Sequence, residues 1–167
     1  FPTRRSSDLF PERLGLFTII VLGETIIAVS YGLAVPLSDL RTVLVAASGF
    51  GISVAAWWLY FWRYDERLLD RALRAPDEER FEARQRGIAY VFSHYGVHVG
   101  IVAAGVGIAV AIEASLAGHP PSLGGLVALC GGVGVFLFAS SFCHRAISEL
   151  IDRRVARTRQ VLAVLLL

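Results

Sequence analysis

The chain has 167 residues, 55% of them apolar and only 18% charged, with a mean hydropathy of +0.60. Soluble domains carry about 25% charged residues, so a cytosolic globule is excluded, as are disordered, collagen-like and disulfide-rich classes. The net charge of +2 arises from 16 basic residues set among 14 acidic ones, so no basic patch points to nucleic acid.

The first nine residues, Phe1–Leu9 (FPTRRSSDL), match a translated sequencing-adapter read and are set aside as a non-native segment. The absence of Met and the apolar run 161–167 suggest a fragment of a longer protein. Arg supplies every basic residue, as in a GC-rich bacterial coding sequence. Residues 10–167 form one partial transmembrane domain.

A bilayer core needs about 20 apolar residues in a helix, and four segments meet this: 14–35, 42–62, 88–112 and 123–147. A fifth, 161–167, begins in the same way and is truncated. The expected fold is therefore all-α, a polytopic transmembrane bundle of four complete spans and part of a fifth. Pro36, Pro120 and Pro121 mark turns on one side of the membrane.

Arg counting sets the orientation. Seven Arg lie in loop 63–87, five in or beside 148–160, and Arg13 precedes the first span, whereas the opposite side has only Arg41. This places the start of the first span and both long loops in the cytoplasm. Loop 63–87 balances its seven Arg with seven acids, and Leu68, Leu69, Ala72 and Leu73 predict a surface amphipathic helix over Tyr64–Arg74, broken at Pro76. Asp77 is a candidate cap for a second helix. The run Trp57-Trp58-Leu59-Tyr60-Phe61-Trp62 beside Arg63 is expected to anchor the second span at the headgroups.

Polar residues at membrane depth are the candidate site. Glu24 lies ten residues into the first span, about 15 Å deep. A carboxylate there costs at least about 2.5 kcal/mol, so it is expected to face the bundle interior, with Tyr31 on the same helical face. In the third span Tyr90, His94 and His98 form one stripe at spacing four. Counting from the cytoplasmic side puts His98 level with Glu24, and a Glu–His pair there can relay protons. Glu24, His94 and His98 can also ligate a divalent metal, although H-x-x-x-H is a weak signal. Structural hydrogen bonding is the third reading of the same residues.

The opposite face of the third span carries Gly96, Gly100 and Gly107, and the fourth carries Gly124, Ala128 and Gly132 in one row. Small residues four apart let helices approach closely. Cys130 and Cys143 sit thirteen apart on one helix, about 20 Å of rise, too far for a mutual disulfide. CxxC, Walker, GxSxG and dinucleotide fingerprints are all missing, so no cofactor is expected and an enzyme is the less favoured class.

The run Glu12-Arg13-Leu14-Gly15-Leu16-Phe17-Thr18-Ile19-Ile20-Val21-Leu22-Gly23-Glu24 resembles the ERxGLFTIIxLGE signature of the bacterial low temperature requirement A (LtrA) family. The aromatic block 57–61, and Tyr90, His94 and the Gly-rich stretch 100–107, are similar to its next two helices. The resemblance covers residues 11–167 and implies a multi-pass protein of the bacterial inner membrane associated with growth in the cold. It implies no reaction. The expected partners are the lipid bilayer, further transmembrane helices of the longer chain and a second copy of itself. Three functions stay open: a proton- or ion-coupled transporter or channel, a non-transporting adaptor, and a metal-dependent membrane enzyme.

Overall fold

A computed structural model describes residues 10–33, 39–62, 80–147, 161–162 and 164. Among the described residues it shows four long helices: α1 (Phe10–Leu33), α2 (Leu40–Phe61), α3 (Arg80–Leu116) and α4 (Leu123–Ile147). All four are long and apolar enough to cross a bilayer. The all-α fold with four spans agrees with the sequence expectation. The first nine residues, the surface helix expected at Tyr64–Arg74, the Asp77 cap and loop 148–160 lie outside the described residues.

Local chemistry explains the ends. Asp39, extended at φ −120° and ψ 115°, accepts from the Arg41 backbone N–H at 3.1 Å and from the Thr42 hydroxyl at 3.3 Å. This cap starts α2 two residues before the apolar count did. At the end of α3, Gly118 adopts φ 74°. The His119 N–H reaches the Ala114 carbonyl at 3.0 Å and the Gly118 N–H reaches that of Ser115 at 3.1 Å. This left-handed termination suits glycine. Ser122 opens α4 by accepting from the Gly125 N–H at 3.1 Å.

Helix α3 is the centre, with α1, α2 and α4 packed around it. Its approach to α4 is the closest. A Cβ at Gly100 would stand 2.5 Å from the Phe136 backbone nitrogen, and Cβ atoms at Gly107 and Gly132 would meet the backbones of Leu129 and Ala104. Gly100, Gly107 and Gly132 therefore permit backbone-to-backbone packing, as the sequence predicts, whereas Gly124 of the expected row is exposed and a Cβ there would meet only the Ser122 hydroxyl oxygen, at 3.9 Å.

The apolar interior has two layers. One joins Val21, Leu22, Tyr60, Val97, Ile101, Phe136, Leu137, Ala139 and Cys143; the other joins Val29, Ala46, Ile108 and Ile112. A hydrogen bond of 3.0 Å between Thr42 and Ser115 ties α2 to α3 near the second layer. Phe92, Tyr95, Val99, Val102 and Val106 leave an exposed apolar stripe along α3. Water would disfavour such a stripe; lipid solvates it.

Candidate functional site

Polar side chains gather where the aromatic end of α2 meets α3 and α4. His94 is 1% exposed. Its Nδ1 lies 2.7 Å from the Tyr90 carbonyl, one turn earlier in α3, and its Nε2 lies 2.8 Å from the Tyr60 hydroxyl. A carbonyl only accepts, so Nδ1 carries the proton and Nε2 accepts from Tyr60. Ser93 donates to the same carbonyl at 2.8 Å, which leaves its oxygen to accept from the Cys143 thiol at 2.9 Å. The Cys143 sulfur lies 3.4 Å from His94 Nδ1.

The network therefore has a consistent direction. The thiol donates to Ser93, Ser93 and His94 donate to Tyr90 O, and Tyr60 donates to His94. Each of these four bonds has one donor and one acceptor, as a buried polar cluster requires. Tyr90 is buried and sets its ring edge-on against His94, with centroids 4.4 Å apart. The Cys143 thiol is buried, and no disulfide joins it to Cys130, consistent with their spacing.

His98, one turn further along α3, belongs to the α1 contact. Its Nε2 lies 2.9 Å from the hydroxyl of Thr18, which is fully buried. Thr18 spends its one proton on the Leu14 carbonyl at 2.9 Å, so its oxygen accepts and His98 Nε2 donates. In the neutral ring Nδ1 is then an acceptor, and no hydrogen bond to it is formed among the described residues. Phe17 packs edge-on against the ring at 4.7 Å, and the His94 and His98 centroids are 5.9 Å apart.

Glu24 does not reach this cluster. Thr18 faces His98, 80 positions later, and Thr25 faces Gly105 at the same offset. Two contacts with one offset mean that α1 and α3 run parallel in that register. Glu24 is therefore level with Ala104, about six residues and about 9 Å beyond His98. Depths counted from the start of each apolar segment miss this, because α3 begins earlier and slides past α1. The carboxylate is exposed, in a groove of about 360 Å³ lined also by Ala28, Ala109, Ile112 and Glu113. Tyr31 lies in α1 and its side chain is outside the described residues.

Of the sequence candidates, the fold brings together Tyr90, His94 and His98 and leaves Glu24 apart. Among the described residues no three His, Cys, Asp or Glu converge as a metal site. Both His94 nitrogens are engaged, so a metal would have to displace Tyr60 or the Tyr90 carbonyl.

Three participants were not singled out as site residues in the sequence. Tyr60 sits in the block expected to be interfacial, yet it is 5% exposed while Trp57, Trp58 and Trp62 are 47%, 52% and 64% exposed. The aromatic belt and the interior contact share one run: the three indoles stay outward, while the Tyr60 phenol turns inward with Leu59 and Phe61 packed beside the same core layer. Thr18 and Cys143 had no distinguishing spacing. Their signal was merely that each lies about a turn from an apolar position on the packed face.

Comparison with known proteins gives the family. The model for "Bacterial low temperature requirement A protein (LtrA)" matches residues 3–167. The uncharacterized protein RA0937 of Rhizobium meliloti (strain 1021) is 34% identical over 143 residues, covering 84% of this chain and 33% of that protein. The chain thus spans about a third of the length of this curated relative. No solved structure matches.

Proposed function

The chain belongs to the bacterial low temperature requirement A family, and from that premise we propose that it forms the proton-handling part of an ion-coupled transporter or channel in the bacterial inner membrane. One observation carries the reading. His98 is buried between α1 and α3 with its Nε2–H committed to Thr18, which leaves Nδ1 as an acceptor inside the bundle. An intramembrane ionisable group is a functional candidate by its cost alone, and the free imidazole nitrogen of His98 is chemically able to take up and release a proton.

Tyr60 and His94 lie on one side of His98, and Glu24 lies about 9 Å further along α1. These groups supply stations on both sides of His98 along the bundle. In this reading His98 accepts and releases the proton, His94 and Tyr60 set the surroundings at the aromatic end, and Glu24 serves the other end. The non-transporting adaptor is the second reading. The complete hydrogen bonding of His94 favours it, because a satisfied buried network also serves as a rigid packing element.

The test is proton flux driven by a pH gradient in proteoliposomes that hold the full-length polypeptide. His98→Gln keeps a hydrogen-bond donor for Thr18 but does not titrate, and flux should fall at least about tenfold, as expected for loss of a positioned proton acceptor. Glu24→Gln should lower flux without altering helix content. Unchanged flux in a folded His98→Gln protein would remove His98 from the pathway and leave the adaptor reading ahead.

A further inference from the structure

Helices α2 and α4 both pack on α3, and an apolar cleft lies between them. Its inner part, about 230 Å³, is bordered by Leu59, Ala56 and Ile52 of α2 and Phe136 of α4, and Leu162 from the last described helical stretch lies against it. The outer part, about 490 Å³, runs from Arg41 past Leu44 and Val45 to Ile52, with Ile108, Ala111 and Leu129 on the facing helices. Ile52 and Ile108 border both parts.

Three features describe what fits the outer part. From Arg41 to Ile52 is eleven residues of helix, about 16 Å, which is half of the roughly 30 Å hydrocarbon core and so the depth of one leaflet. The wall is apolar, since the Ser48 hydroxyl is turned back to the Leu44 carbonyl at 2.7 Å. At the mouth stands an exposed guanidinium. Arg41 begins the membrane span of α2, at headgroup level, and has no carboxylate partner among the described residues. The nearby Asp39 carboxylate is taken up by the helix cap, and the Arg41 guanidinium meets only the His119 carbonyl, at 3.5 Å.

From these we infer that the outer cleft binds an anionic phospholipid, with its phosphate on Arg41 and one acyl chain lying between α2 and α4 as far as Ile52. Guanidinium and phosphate pair through two parallel hydrogen bonds. An anionic headgroup adds attraction without an ammonium to compete for the phosphate. This gives a purpose to the one Arg on the side of the bundle that otherwise lacks them.

The inference is independent of proton transfer and is tested by a different measurement. The full-length polypeptide is released from nanodiscs of equal phosphatidylglycerol and phosphatidylethanolamine, and retained lipid is counted by native mass spectrometry. Phosphatidylglycerol should be enriched on the native protein. Arg41→Gln should lower that enrichment about fivefold, the loss expected for one interfacial cation, and Arg41→Lys, which keeps the charge but not the paired hydrogen bonds, should restore it only in part. Ala111→Phe, which fills the groove, should release the lipid while Arg41 is intact. Equal retention across this series would overturn the inference. So would cross-linking of Leu44→Cys to another transmembrane helix, which would show protein in the groove instead of lipid.

Discussion

Gly132→Leu is expected to force α3 and α4 apart and to lower the stability of the bundle by about 3 kcal/mol or more, the upper range of overpacking effects. Any Cβ at this position would fall on the backbone of Ala104, with the Gly100 carbonyl oxygen 2.8 Å away. Backbone cannot swing aside as a side chain can, so the helices themselves must separate. Separation would also open the layer holding Val97, Ile101 and Phe136. The neighbouring Gly131 supplies the control: a Cβ there meets nothing within 4 Å. Gly131→Ala should therefore stay within about 0.5 kcal/mol of the native protein. Unfolding by graded SDS in mixed micelles, followed by circular dichroism, measures both. Equal behaviour of the two variants would mean that α3 and α4 do not approach as described.

His94→Ala should destabilise the protein by about 3 kcal/mol, combining a buried cavity with the loss of the acceptor for Tyr60. Its ring is almost wholly enclosed and holds contacts with Tyr60, Tyr90 and Cys143. Tyr60→Phe keeps the ring and removes only the hydroxyl, so its own effect should be near 1 kcal/mol. The pair can be separated from simple packing by a double-mutant cycle. A coupling of at least about 0.5 kcal/mol is expected for groups that share a hydrogen bond. Strict additivity would refute the contact between α2 and α3 at this level. The transport assay gives a further distinction. His94→Asn should cost more stability than flux, whereas His98→Gln should cost more flux than stability.

Much of this organisation is legible in the sequence alone. Long apolar runs can satisfy their backbone groups in lipid only as helices, so the four spans followed from length and composition. The glycine rows on the third and fourth spans announced a close approach, because spacing by four places them on one face whatever lies opposite. The stripe Tyr90, His94, His98 was visible for the same reason. Helix ends were harder to place, since Asp39 and Ser122 act through hydrogen bonds that hydropathy does not register. Tyr60 was hidden because a phenol beside three tryptophans has the composition of an interfacial belt, and a single residue's rotation about the helix axis decides whether it meets lipid or His94.

Periodicity within one helix therefore determined which residues share a face and how deep each lies along its own axis. It determined the membrane fold, the polar stripe and the small-residue seam. How far one helix slides past another depends on where side chains and glycines of both interlock, and that was decided only in the tertiary structure. The common offset of Thr18 with His98 and Thr25 with Gly105 set the register of α1 on α3. That register gave His98 a hydroxyl partner in Thr18 and left Glu24 in a groove with Glu113, about 9 Å away along the bundle.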